Sequence, residues 1–423
     1  MPQTTPGSAD VVIVGGGAMG TSVAYHLAKL GVTDVVLLER ESLASGSTSK
    51  SAGGIRAQFT DELNVRIALR SMTEFQALDR VSGIGYRRDG YLFLLDREED
   101  VESFRQAVAM QQALGVPSQL VSPDDVKQMN PALETGDLLA AAYCPIDGHA
   151  SPESVVQAYA GAAGAQGVRI LQGTTLQRVA VLGDKIVSVE TSAGRIRTGT
   201  VVCAAGVWSR DVGTLAGLDI PVEGEARWMH FTPENGGLPD PFPFTIDFST
   251  GFYFHREGTG LVFGGREPTI EGVAGRAARR LPVLADLPIQ SSWWGWYEMS
   301  PDRNAIVGEA ALPRRFLYAT GFSGHGFQQS PAIGEHLAEL PIQSSWWGYY
   351  EMSPDHNAIV GEATQPRRFL YATGFSGHGF QQAPAVGEHL AELVVGAQPT
   401  LDLSPLSLDR FASGAGREER FVV

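Results

Sequence analysis

The sequence is poor in cysteine, in lysine and in long apolar runs. Its two cysteines, Cys144 and Cys203, lie far apart in 423 residues, so no disulfide framework is expected and both read as reduced structural thiols. Lysine occurs only at Lys29, Lys50, Lys127 and Lys185, and the net charge is −15. An acidic surface repels phosphate backbones and anionic lipid, which argues against nucleic acid or a membrane surface as partner. No apolar run reaches the ~18 residues of a membrane span. The opening MPQTTPGSAD lacks a basic stretch followed by an apolar one, so a cytoplasmic protein is expected. CxxC, HExxH and EF-hand spacings are absent as well, which leaves a metal without motif support. What remains is a long chain, 43% hydrophobic and 19% charged, and that suits two folded domains.

The chain also repeats itself. Leu287–Glu339 recurs at Leu340–Glu392 and differs only at Trp296/Tyr349, Arg303/His356, Ala311/Thr364, Leu312/Gln365, Ser330/Ala383 and Ile333/Val386. Solenoids need roughly three or more diverged units, so two near-identical ones indicate a tandem duplication. A site completed by this segment has two candidate suppliers and room for one. The first copy follows an expected Arg276–Asp286 helix, and its own last helix stops at Pro341. The second continues into Val394-Val395-Gly396, so the second is expected to serve the site.

Short apolar runs at Asp10–Gly15, Asp34–Glu39, Thr200–Ala204 and Phe316–Ala319 (twin Phe369–Ala372) read as strands buried on both faces. Between them, Glu225–Phe231, Gly251–Arg256 and Gly260–Gly264 alternate and carry aromatics, which suits an antiparallel sheet. A discontinuous α/β nucleotide domain (1–80, 150–215 and 310–423) is therefore expected, interrupted by an antiparallel-sheet substrate domain of α+β type (81–149 and 216–309). Gly15-Gly16-Gly17-Ala18-Met19-Gly20 is GxGxxG between the first strand and a helix over Ala18–Leu30. Such a turn lets backbone approach a pyrophosphate at the positive helix N-terminus. Glu39, followed by Arg40, ends the next strand, where a carboxylate accepts from ribose hydroxyls. This spacing does not separate FAD from NAD. A loop rich in glycine and hydroxyls follows (Ser45–Arg56, with Ser47, Thr48, Ser51, Ala52 and Gly53), offering donors to phosphate and ring carbonyls. Near the end, Gly374, Gly377, His378, Gly379, Phe380 and Gln381, or the twin Gly321, Gly324, His325, Gly326, Phe327 and Gln328, join a buried strand to a helix. Glycine there lets backbone press on a planar ring, and the helix N-terminus supplies positive charge.

Together VVIVGGGAMG, LLERESLASGSTSKSAGGIR, VVCAAGVWS, GFYF, YEMSPDHNAIVG and FLYATGFSGHGF resemble the FAD-dependent D-amino-acid oxidase superfamily, in particular its glycine, sarcosine and dimethylglycine oxidase/dehydrogenase branch. The resemblance implies a Rossmann-like FAD domain and an antiparallel substrate domain with the flavin between them. It implies a small amino-acid substrate, with O2 or another redox partner as electron acceptor. By motif, Gly15, Gly17, Gly20 and Glu39 match ADP-binding positions, and Ser47, Thr48 and Ser51 match the loop under pyrophosphate and flavin. Ala205, Gly206 and Trp208 match a turn beside the cofactor. Arg56 matches the arginine that holds the substrate carboxylate in sarcosine oxidases. Tyr253, and Tyr350 or Tyr297, match aromatics lining the substrate pocket. Gly295 and Gly348 stand where those oxidases carry the flavin-tethering cysteine, so the FAD is expected to be non-covalent. Gln381 or Gln328 replaces their second carboxylate anchor, a lysine, and no lysine follows Lys185 to promote reaction with oxygen. Oxidase and dehydrogenase remain open, as does a flavin-bound assembly or scaffold protein without turnover.

Overall fold

The strand Val11–Val14 is buried on both sides because its alternate side chains enter different layers. Val11 and Ile13 pack with Val23, Ala24 and Leu27 of the helix Ala18–Lys29, whereas Val12 and Val14 meet Val179, Ile186, Val189 and Ile196 of a three-stranded antiparallel sheet. This is the computed structural model of the chain, and it describes residues 5–266, 270–340, 358–363, 370–373 and 379–408. Val11–Val14 lies inside a six-stranded sheet with the order Ile306–Glu309, Phe316–Thr320, Thr200–Cys203, Val11–Val14, Val35–Glu39, Arg169–Gln172. All neighbours pair in parallel except Ile306–Glu309, which is antiparallel to Phe316–Thr320. The three-layer arrangement is the Rossmann-like one expected, and it puts Gly15 and Glu39 together at the carboxyl ends of adjacent strands.

A second, eight-stranded sheet has the order Ser291–Met299, Glu223–Thr232, Gly260–Gly264, Phe252–Glu257, Phe244–Asp247, Tyr91–Leu95, Ala140–Cys144, Gln119–Val121. Only Phe244–Asp247 with Tyr91–Leu95 is parallel. One face is covered by the helix Ile270–Arg280 through Val273 and Ala277 against Phe252 and Phe254. Cys144 and Cys203 are buried free thiols. Among the described residues no helix is long and apolar enough to cross a membrane.

Two expectations are corrected. Arg276–Asp286 is not one helix: the α-helix ends at Arg280 and a 3-10 turn begins at Pro282, whose ring and missing N–H end the run. The duplicated segment also enters the fold through its first copy. Phe316–Thr320 pairs with Thr200–Cys203, and the helix Gly326–Glu339 packs on Ala18–Lys29. The reason is continuity of the chain. Ser291–Met299, at the start of the first copy, is held in register along Glu223–Thr232, which keeps the strand and helix that follow close to the parallel sheet. Ending at Pro341 is no handicap, because a helix to Glu339 suffices. The second copy's strands, Ile359–Glu362 and Leu370–Thr373, form a separate two-stranded hairpin.

Candidate functional site

Gly15 turns the chain out of the first strand with φ +115°, and a Cβ there would lie 2.3 Å from the Ala204 carbonyl oxygen. A Cβ on Gly20 would lie 1.9 Å from the Gly15 oxygen, so the helix can approach the strand only without side chains. The helix starts at Ala18 with no side-chain cap from Gly17, although Thr48 Oγ1 accepts from the Ala18 N–H at 3.2 Å. Glu39 accepts from the Gly16 N–H at 2.7 Å and the Glu41 N–H at 2.8 Å, which brings its carboxylate onto the glycine turn. The Arg40 guanidinium carbon lies 3.9 Å from the centre of the Trp208 ring.

From this turn a cavity of about 660 Å³ runs toward the second sheet. Gly15, Gly17, Ala18, Met19, Glu39 and Arg40 line its first part. Ser47, Thr48, Ser51 and Ala52 line it on one side, and Ala205, Gly206 and Trp208 on the other. Its far end is aromatic, with Tyr253, Trp296, Tyr297 and Phe327 beside Gly324 and Gly326. Gly20, Gly53 and Gly321 stand behind the wall as packing positions; at Gly53 a Cβ would lie 2.1 Å from the Ala150 oxygen. Tyr350, Gly374, Gly377 and His378 lie outside the described residues. Gly379, Phe380 and Gln381 begin the separate helix Gly379–Val395.

Arg56 sits beyond the aromatic end, buried, with its guanidinium carbon 4.2 Å from the centre of the Phe59 ring. It donates to the Gln58 carbonyl and, at 3.2 Å, to His325 Nε2, while its backbone N–H donates to Gln328 Oε1 at 2.8 Å. Burial and the adjacent Arg56 push His325 down to about 3, so the ring is neutral and can accept. Arg56 makes no ion pair among the described residues. The other deeply buried arginine, Arg280, has two carboxylates at 2.7 Å, Asp247 and Asp137. Near Arg56 the buried Asp147 accepts from Ala57 N–H at 2.8 Å and Gln58 Nε2 at 3.2 Å, and burial raises it to about 6. Arg56 is thus a desolvated cation with unused N–H donors, a receptor for a small anion.

Sequence reasoning missed Glu298, Phe59 and Asp147. Glu298 lines the cavity, and burial pushes its carboxyl up to about 7. The Thr320 hydroxyl has one hydrogen for two oxygens, Gly206 O at 3.0 Å and Glu298 Oε2 at 3.1 Å, a conflict that a protonated Glu298 removes. An acid set within WWGWYEM was the available signal. Phe59 and Asp147 gave none, since their role comes from contact with Arg56.

A dinucleotide slot that opens into an aromatic chamber with a buried cation behind it defines a nucleotide-dependent enzyme of small molecules. The chain belongs to the DAO family of FAD-dependent oxidoreductases, whose sequence model matches residues 10–340 and then again 341–393, the second match falling on the duplicated copy. Mitochondrial sarcosine dehydrogenase of Mus musculus is 27% identical over 428 residues, 99% of this chain and 43% of that protein. Mitochondrial dimethylglycine dehydrogenase of Rattus norvegicus is 29% identical over 409 residues, 95% of this chain and 45% of that protein. The chain therefore spans less than half the length of these relatives. L-proline dehydrogenase from P. horikoshii has the same fold, with TM-score 0.75 and 28% identity over 98% of this chain and all of that one. FAD fits the cavity on two observations: the glycine turn leaves no room for side chains, and Ser47 Oγ, in the wall, is buried with no partner among the described residues.

Proposed function

We propose that this protein oxidises the C–N bond of a small, N-substituted amino acid with non-covalently held FAD. The observation that carries the reading is Arg56, a buried cation with no ion pair among the described residues, beside the aromatic end of the cavity. The relatives named for sarcosine, dimethylglycine and proline share substrates in which a carboxylate and a substituted amine flank one carbon. Bound FAD supplies the acceptor for a hydride equivalent. The chain's residues do the positioning: Arg56 grips the carboxylate with parallel N–H donors, held in place by Gln58, Phe59, His325 and Gln328. Tyr253 and Tyr297 exclude water and give the substrate's alkyl groups an apolar wall. No dedicated base is needed for a substrate whose amine is neutral when bound. Gly206 and Gly326, the latter at the N-terminus of Gly326–Glu339, line the cavity, where the positive end of the helix favours negative charge. Neither cysteine lines the cavity, and a Cβ at Gly295 would lie 2.4 Å from Lys50 Cβ, so a tether is disfavoured there.

The test is anaerobic addition of sarcosine, dimethylglycine, proline, glycine and D-alanine to the yellow protein. Bleaching by the N-substituted members is expected; bleaching by none favours a flavin-bound scaffold without turnover. Acid precipitation should release the flavin to the supernatant, and colour retained in the pellet would refute non-covalent binding. Oxygen uptake compared with dye reduction separates O2 from another redox partner as acceptor.

A further inference from the structure

Behind the aromatic end of the cavity, on the same face of the strand Phe252–Glu257 as Tyr253, stand His255 and Glu257. The short strand Gly148–His149 brings a second imidazole against them: the rings of His149 and His255 have centroids 4.6 Å apart at 48°. Both histidines are buried, and Glu257 is exposed at the strand end. Each of the three offers a ligand atom, and these atoms lie within 4.8 Å of one another.

His255 carries the argument. Its Nδ1 lies 2.8 Å from the Arg256 carbonyl oxygen, which can only accept, so Nδ1 bears the hydrogen. With the hydrogen on Nδ1, Nε2 presents a bare lone pair. That atom is buried and has no hydrogen-bond partner, while His255 as a whole is 2% exposed. An orphaned buried acceptor is unfavourable unless something occupies it. An N–H held by a carbonyl, with the other nitrogen free, is how metal-binding imidazoles are oriented. Arg87 is the cation near His149. The opposing charge of Arg87 is met by Asp89 at 2.6 Å and Asp240 at 2.7 Å, and Arg256 also faces Asp240. Glu153 adds negative charge next to Glu257.

We propose that His149, His255 and Glu257 form a zinc(II) site. Two imidazoles and one carboxylate are zinc ligands, and water would complete four-coordination. Ligand atoms of a tetrahedral zinc lie about 3.4 Å apart, so the triad must draw in, a movement the exposed Glu257 side chain can supply. His255 stacks on Phe244 at 4.6 Å, and Phe244 in turn on Tyr91 at 4.3 Å and Tyr253 at 5.9 Å. A bound ion would therefore stiffen the chamber wall without touching substrate. The site has no sequence motif because His149 is distant in the chain from His255 and Glu257.

The experiment uses the flavin-loaded protein treated with chelator, titrated with zinc chloride by calorimetry and with cobalt(II) by absorption. One zinc per chain is expected, with the intense visible bands of tetrahedral cobalt. Glu257→Gln, at the surface and so safe for folding, should weaken binding roughly tenfold or more, and His255→Leu should abolish it while flavin is retained. Absence of binding up to millimolar zinc, pale octahedral cobalt bands, or an affinity unchanged in Glu257→Gln would each overturn the site.

Discussion

Arg56 and Arg280 are both buried arginines, and the contrast between them separates binding from architecture. Arg280 closes its charge on Asp247 and Asp137 and needs nothing more, whereas Arg56 leans on a ring, a carbonyl and a neutral histidine. Substitution by Ala should raise KM roughly 10- to 100-fold, from about 1.5–3 kcal/mol per charge-assisted hydrogen bond lost. Bound flavin should remain, and Arg56→Lys should recover part of the affinity; unchanged steady-state kinetics would remove Arg56 from the site. Glu298 makes a second prediction at this scale. Its carboxyl titrates near 7 when folded and in the ordinary carboxylate range when unfolded, so between those values the folded state binds the extra proton. Stability present at low pH is therefore lost as pH rises toward about 7. In thermal melts of flavin-free protein from pH 5 to 8, Glu298→Gln should flatten this decline and melt higher than wild type at pH 8; parallel curves would show that Glu298 is ionised throughout.

Val11–Val14, Val35–Glu39, Thr200–Cys203 and Phe316–Thr320 were legible because each is a short, largely apolar run with both faces buried. Gly15, Glu39 and the hydroxyl loop were legible for a related reason: their place along the cavity depends on local backbone, which neighbouring residues encode. Phe244–Asp247 and Ser291–Met299 were not, since they are strands by virtue of the partners they pair with. The duplication makes this point sharply. Near-identical sequences give Phe316–Thr320, inside the large sheet, and Leu370–Thr373, in a hairpin, so no local property selects between copies. What distinguishes the first copy in the fold is its own strand Ser291–Met299, whose pairing with Glu223–Thr232 tethers the strand and helix that follow. His325→Ala should accordingly lower flavin retention and substrate affinity, whereas His378→Ala should change neither. Flavin loss from the His378 change alone would mean that the second copy enters the sheet.

For the whole molecule, the second copy is an appendage with a small core of its own. Among its described residues, Ala358, Val360 and Val386 form a buried apolar cluster, joined by the partly buried Ala372, Leu390, Leu403 and Leu406. A two-stranded hairpin and one helix around so few side chains are marginal in isolation, so this unit should open before the main body. Val394 and Val395, at the end of its helix, are exposed. Excising residues 340–392 joins Glu339 to Leu393, the junction that Glu392 and Leu393 already make in the second helix. The helix beginning at Gly326 would then run on to Val395 and close at Gly396, whose φ of +75° suits a helix end. The shortened chain keeps both large sheets, the glycine turn and Arg56 with His325 and Gln328. It should bind flavin as the full chain does, melt in one main transition within a few degrees (roughly 1 kcal/mol) of the original, and lack any earlier, smaller transition. A shortened chain that cannot hold flavin would show that the appendage supports the body, and that the first copy does not suffice to complete the nucleotide-binding sheet.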